Sequence, residues 1–145
     1  MPLTRRHCIF MVISLFFTSM SLADEHSYNF ISAPDLQARL TAEQPTNIVD
    51  IQVEDEFAKH HVKGAEATYA YPVKSETDRA KLDATIERLK ANNDPVVIVC
   101  PRGAGGAKRT FDYLLHQEIP FERLLILKKG QQGWSCAALT EGTKK

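Results

Sequence analysis

The chain has 145 residues, of which 43% are hydrophobic and 25% charged, and its 18 basic residues balance 18 acidic ones. That length allows one domain with a modest core. A formal charge of zero, with bases dispersed rather than gathered in a stripe among aromatics, argues against a nucleic-acid binder.

The first residues read as a targeting segment. Arg5 and Arg6 precede an apolar run from Cys8 to Phe17 broken only by Ser14, and Ser21-Leu22-Ala23 offers small residues where a signal peptidase reads them. Residues 1–23 are therefore expected to be a signal peptide cleaved after Ala23, since the stretch from Cys8 to Ala23 is short for a membrane span. The mature protein is then expected to be periplasmic or secreted, without stable membrane insertion. Cleavage removes two bases and no acids, leaving a slight acidic excess. Cys8 leaves with the signal, and Cys100 and Cys136 remain in a compartment that tolerates disulfides.

Residues 24–31 are polar at the start and are expected to form a flexible leader. Ser32 then caps a helix with Pro34 and Asp35 in its first turn and Leu36 and Leu40 on one face. Gln44-Pro45-Thr46 turns the chain into a strand over Asn47 to Ile51, with Asp50 near its carboxyl end. Asp55 to His61 reads as a short helix with Phe57 facing inward, followed by a turn at Lys63-Gly64-Ala65. His60 and His61 are adjacent, so on a helix they point apart, and no partner spacing completes a metal site. A short strand is expected over Ala67 to Tyr71. An amphipathic helix over Ser75 to Ala91 follows, with Ala80, Leu82, Ile86 and Leu89 near helical spacing.

Val96 to Val99 is a continuous β-branched run, the pattern of a strand covered on both faces in a parallel sheet. Ligands of such sheets bind at the carboxyl ends of strands, where Cys100 falls. Gly103, Gly105 and Gly106, with Ala104 between them, allow consecutive N–H groups to turn around one point, and a helix start adds its own N–H groups. Arg102, Lys108 and Arg109 supply positive charge. An anion, including a thiolate, is stabilised in such a setting; otherwise Cys100 is a small buried hydrophobe ending a strand. Ala107, Phe111, Leu114 and Leu115 mark the buried stripe of the next helix, ending around His116 to Glu118. Leu124 to Leu127 is expected to be the last strand, followed by a turn to Gly133, a short terminal helix led by Trp134, and a polar tail over 141–145. Alternating strands and helices predict a single α/β domain over residues 32–140 with a mainly parallel sheet.

Five segments of the chain occur in an order that resembles the rhodanese-like sulfurtransferases. They are I-V-D-I-Q from Ile48, D-E-F from Asp55, H-H-V-K-G-A from His60, C-P-R-G from Cys100 and K-G-Q-Q-G-W from Lys129. The resemblance implies a three-layer sandwich and a reaction in which Cys100 carries sulfane sulfur as a persulfide. The donor would be thiosulfate or another persulfide, and the acceptor a thiol or other thiophile, with a partner protein as one form of it. No cofactor is implied. The N–H groups of Arg102, Gly103, Ala104, Gly105 and Gly106 would cradle the persulfide anion, Pro101 having no N–H to give. Arg102 and Lys108 would receive the sulfonate, with Arg109 in support on the helix body. Asp50 would be structural, holding loop N–H groups, and His61 would be a fold residue near the turn.

Two positions depart from the family pattern: Gln52 and Gly105 stand where arginine is common. Three other functions use the same residues. A cysteine phosphatase or arsenate reductase wants arginine six positions after its cysteine, where this chain has Gly106. A thiol-disulfide protein would use Cys136 as resolving thiol for Cys100. A binding module would keep the anion cradle for docking and leave Cys100 unreactive.

Overall fold

A computed structural model describes residues 27–143. The expected signal peptide and its cleavage site lie outside the described residues.

Five strands form the main sheet: β1 (Phe30–Ile31), β2 (Asn47–Asp50), β4 (Glu66–Ala67), β5 (Val96–Val99) and β6 (Leu124–Leu127). Their order is β1-β6-β5-β2-β4, and every pairing is parallel. β5 lies at the centre and is buried on both faces, which is why its sequence does not alternate. Val96 and Ile98 enter one core while Val97 and Val99 enter the other, following the two-residue period of a strand.

Helices cover both faces. The helix α1 (Ala33–Thr41) places Leu36 in the second core beside Ile48, Val97 and Trp134. It is capped by Ser32, whose Oγ accepts the Asp35 N–H at 3.2 Å. On the opposite face, α4 (Asp83–Lys90) and α5 (Gly105–His116) bury Ile86, Leu89, Ala107, Phe111 and Leu114. Burying each such leucine or phenylalanine contributes roughly 1.5–3 kcal/mol. Phe111 is fully enclosed, edge-on to Tyr28 at 5.3 Å and to Phe121 at 5.6 Å. The expected α/β sandwich with a parallel sheet and helices on both faces is what forms.

Several boundaries differ from the sequence reading. The stretch expected to be a leader is tied down over its last residues. Phe30 and Ile31 pair with β6, and Tyr28 donates to Asp112 Oδ2 at 3.0 Å. The single helix expected over Ser75 to Ala91 is two, α3 (Glu76–Ala80) and α4, parted at Lys81-Leu82. Neither glycine nor proline marks that break. Tertiary contacts impose it: Leu82 is fully buried, and Lys81 Nζ donates to Tyr69 O at 3.0 Å. Ser75 and Asp78 close α3 with a capping box.

The strand expected over Ala67 to Tyr71 is only Glu66–Ala67, because the backbone leaves the extended conformation at Tyr69, whose φ is +55°. The helix α2 (Glu54–Lys59) stops before the histidines, and His61–Val62 forms β3. Leu124 to Leu127 is not the last strand. β7 (Thr140–Glu141) pairs antiparallel with β3, and Thr143 N–H donates to Ala58 O at 2.9 Å, so part of the expected polar tail is held against α2. Trp134 leads not into an α-helix but toward a 3-10 turn at Ala137–Leu139. Its ring fills the second core and its indole N–H donates to Thr140 Oγ1 at 2.9 Å. Among the described residues, no helix is long and apolar enough to cross a membrane.

Candidate functional site

Cys100 leaves the carboxyl end of β5 into a loop that reverses at once, and the residue is 2% exposed. The Gly103 N–H donates to Cys100 Sγ at 3.1 Å. Gly103 has a φ of +67°, and a Cβ there would come 2.6 Å from Leu127 O and 2.8 Å from Gly130 N. Glycine is required there by both conformation and space. A second loop, after β6, locks against the first. Gln131 N–H donates to Cys100 O at 2.8 Å and Gln132 N–H to Pro101 O at 3.0 Å. Gly130, with φ +57°, permits this approach, since a Cβ would run into Cys100 O and Gly103 N.

A cavity of about 180 Å³ opens beside the thiol. The loop residues Cys100, Pro101, Arg102, Ala104, Gly105 and Gly106 line it, and Tyr71 and Arg109 close it. A water in the liquid takes roughly 30 Å³, so a small anion fits. The first turn of α5 forms part of the wall, bringing unpaired N–H groups and the positive end of the helix dipole.

The expected site residues separate into two groups. Arg102 lines the cavity with Gly105, Gly106 and Ala104, while Gly103 donates to the sulfur. Lys108 does not line it; its Nζ lies 5.0 Å from the centre of the Tyr28 ring. Arg109, expected only in support, is a wall of the cavity. Its Nε donates to Pro72 O at 2.9 Å, and a Cβ at position 105 would lie 3.0 Å from its Nη1. The guanidinium therefore borders the space that a side chain at 105 would enter.

Tyr71 was not singled out by the sequence reading. The signal was Gly106, a glycine in the first turn of a helix, where it costs about 1 kcal/mol relative to alanine. Its bare face admits the Tyr71 ring, which a Cβ would approach to 3.0 Å, with Ile51 at 3.3 Å.

Asp50 lies outside the cavity and is fully buried. Its Oδ1 accepts the Gln52 N–H at 2.8 Å and its Oδ2 accepts Gln52 Nε2 at 3.0 Å. Burial pushes its pKa up to about 6, against the opposing pull of those two hydrogen bonds. Gln52 thus gives Asp50 a neutral partner, and its amide nitrogen also donates to His60 O at 3.2 Å.

Cys136 is half-buried and packs against the second core, whereas Cys100 belongs to the first, on the other face of the sheet. Both thiols are free. The adjacent histidines also part company: His61 stacks on Phe57 at 3.8 Å, and His60 Nδ1 lies 2.7 Å from Gln131 Nε2. His61 links α2 to β7, with Nδ1 2.7 Å from Phe57 O and Nε2 3.5 Å from Glu141 Oε2. Among the described residues, no three His, Cys, Asp or Glu side chains gather as metal ligands.

Comparison with known structures finds the same fold in several proteins. A yeast protein tyrosine phosphatase of the rhodanese family superposes with a TM-score of 0.66 at 17% identity, over 81% of this chain and 94% of its own. The rhodanese-like domain of a protein from Anabaena sp. gives 0.57 at 21% identity, covering 81% of each chain. A rhodanese-like domain protein from Staphylococcus aureus gives 0.55 at 23% identity, over 80% of this chain and 99% of its own. No curated protein matches the sequence closely enough to count. The model of the rhodanese-like domain matches residues 32–137, from the cap of α1 to the turn after Trp134. With most of the chain matched, and the cysteine loop at the end of its central strand, the protein belongs to the rhodanese-like domain family.

Proposed function

We propose that the protein is a sulfurtransferase that carries sulfane sulfur on Cys100. The Cys100 thiolate attacks the outer sulfur of thiosulfate; the sulfur–sulfur bond of the donor breaks and sulfite leaves with its electron pair. A persulfide anion remains on Cys100. An acceptor thiolate then attacks the outer sulfur, takes it as its own persulfide and returns Cys100 to the thiolate. A persulfide donor enters by the same exchange, leaving as a thiolate. No net oxidation occurs and no cofactor is needed.

The observation that carries this reading is the Gly103 N–H at 3.1 Å from Cys100 Sγ, in a cavity bordered by two arginines. Fixed N–H donors stabilise negative charge on sulfur without having to reorganise. Arg109 and Arg102 are the groups for the sulfonate, with Arg109 meeting the need that an arginine at position 105 would otherwise serve. The phosphatase reading is less well supported, because the arginine it wants at position 106 is a glycine, packed so that a Cβ there would come 3.0 Å from the Tyr71 ring. The redox reading lacks a nearby partner, since Cys136 packs on the other face of the sheet.

Reduced protein exposed to thiosulfate and desalted should gain the mass of one sulfur atom, lost again on thiol reduction and absent in Cys100→Ser. No gain while Cys100 remains open to alkylation would overturn the proposal. Export belongs to the same reading, resting on the residues from Arg5 to Ala23. Protein recovered from the periplasm should begin at Asp24; a product that keeps Met1 would refute it.

A further inference from the structure

Cys100 is almost wholly buried, and the cavity of about 180 Å³ is the space that reaches it. A larger cavity, of about 650 Å³, lies on the other side of Pro101 between α2 and the loop after β6, but Cys100 does not line it. Sites that enclose drug-sized ligands measure roughly 300–1,000 Å³, so the space at the thiol is small by comparison. Every residue that lines it falls between Cys100 and Arg109, except Tyr71, which comes from a distant part of the chain.

The segment that carries Tyr71 is fixed on both sides. Ala70 and Val73 are fully buried, and the Val73 N–H donates to Ala70 O at 2.8 Å. The Tyr71 N–H donates to Ile51 O at 2.8 Å, and Pro72 O accepts from Arg109 Nε at 2.9 Å. Tyr69 and Val73 have φ of +55° and +58°, a region that few residues other than glycine enter and where a β-branched residue is an outlier. Such conformations persist where surrounding contacts over-determine them, and they gather at active sites and ligand clamps. What they hold here is the Tyr71 ring, set against the bare face of Gly106, where a Cβ would meet ring carbons Cδ2 and Cε2 at 3.0 Å.

We propose that Tyr71 sets the size of the sulfur donor: its ring bars bulky organic persulfides from Cys100 and admits donors as small as thiosulfate. The inference rests on the sulfur-carrier reading for its substrate, whereas the wall itself is a matter of access to the thiol. Its role is steric rather than chemical, because ring carbons and not the hydroxyl make the contact with Gly106. Phenylalanine at this position therefore suffices, and a smaller side chain does not.

The test compares two reagents with the same reactive group, iodoacetamide and the bulkier N-tert-butyl iodoacetamide, on the reduced full-length protein. Peptide mass spectrometry reads the modification of Cys100 and Cys136 separately. Tyr71→Ala should raise the rate of the bulky reagent relative to the small one by about tenfold at Cys100. Tyr71→Leu, which stays apolar, should move the ratio the same way, and Tyr71→Phe should keep the wild-type ratio. Cys136, on the other face of the sheet, is the internal control, and its ratio should not move. An unchanged ratio at Cys100 in the alanine and leucine variants, a raised one in Tyr71→Phe, or an equal rise at Cys136 would each overturn the proposal. Sulfur loading from glutathione persulfide relative to thiosulfate should also rise about tenfold in Tyr71→Ala. Size discrimination in alkylation with no loading from either donor would sink the carrier reading and leave the wall standing; loading from thiosulfate with both ratios unmoved would do the reverse.

Discussion

Two cavities share Pro101 as a wall, and they are built in opposite ways. The smaller one is made mostly of consecutive residues from a single loop, with backbone groups and bare glycines doing the shaping. The larger is assembled from side chains of two distant segments, residues 52–60 and 131–135, meeting Pro101 between them. A site made of backbone tolerates few substitutions at the turns that shape it, since Gly103 and Gly130 are fixed both by φ and by close approach to backbone. A cavity made of side chains can change its lining by replacing one amide or one charge. Precision at the sulfur and adaptability beside it therefore coexist within one turn of chain.

The largest effect is expected where the two cavities are joined. Gly130→Ala places a Cβ on the backbone of both Cys100 and Gly103 at a positive φ, and neither neighbour is a flexible side chain. Stability should fall by about 3 kcal/mol or more, read from urea unfolding, with sulfur loading lost as well. Gly64 is the contrast. It has φ +77° but open space around it, so Gly64→Ala should cost only about 1–2 kcal/mol.

Next comes the wall behind the larger cavity. Asp50 titrates at about 6 in the folded protein because burial disfavours its charge, above the ordinary value of 3.8. Between those values the native state holds a proton that the unfolded chain has released. This contribution to stability is therefore fully present below about 3.8 and lost as pH rises through about 6. The change is roughly 3 kcal/mol. His61 favours the charged form and Glu56 opposes it, so both belong in the same measurement. Unfolding free energies of wild type minus Asp50→Asn, followed from pH 4 to 7, should show this slope. A flat difference would refute it.

Arg109→Lys tests the smaller cavity alone. A lysine cannot keep the Nε bond to Pro72 O and present a planar fork over Gly105 at the same time. Thiosulfate loading should slow about tenfold, equivalent to about 1.4 kcal/mol. Lys108→Ala, removing an ammonium that lies over Tyr28, should change the rate less than about twofold. Equal effects from the two would dissolve the distinction between them. Ser75→Ala touches neither cavity. It removes the cap of α3 and should cost about 1 kcal/mol without altering sulfur loading.

The same contrast explains how much the sequence disclosed. A contiguous loop writes its function into adjacent letters, so Cys100, Gly103 and the helix start after them were readable together. Arg109 was readable as a residue but not as a wall, because its direction depends on the Pro72 carbonyl, supplied by a turn elsewhere in the chain. Lys108 and Arg109 are neighbours in the sequence, and the sequence reading favours Lys108 for the sulfonate. One helix position, about 100° of rotation, sends the first toward Tyr28 and the second toward the thiol. The larger cavity had no local signal, since Gln52, His60 and Gln131 meet only after the sheet forms. The break between α3 and α4 was hidden for a similar reason: a buried Leu82, not a breaking residue, sets it. Strands of two residues, such as β3 and β7, are too short to leave a period.

The pairing of β3 with β7 has a consequence for the order in which the molecule closes. Val62 is wholly buried, and its strand partner is Thr140, almost eighty positions further along the chain. While the polypeptide emerges amino end first, Val62 stays without this partner until nearly the entire domain has been made. This two-stranded ladder therefore acts as a late fastener: the parallel sheet and the cysteine loop can assemble before it, and the α2 region is sealed only when Thr140 and Glu141 arrive.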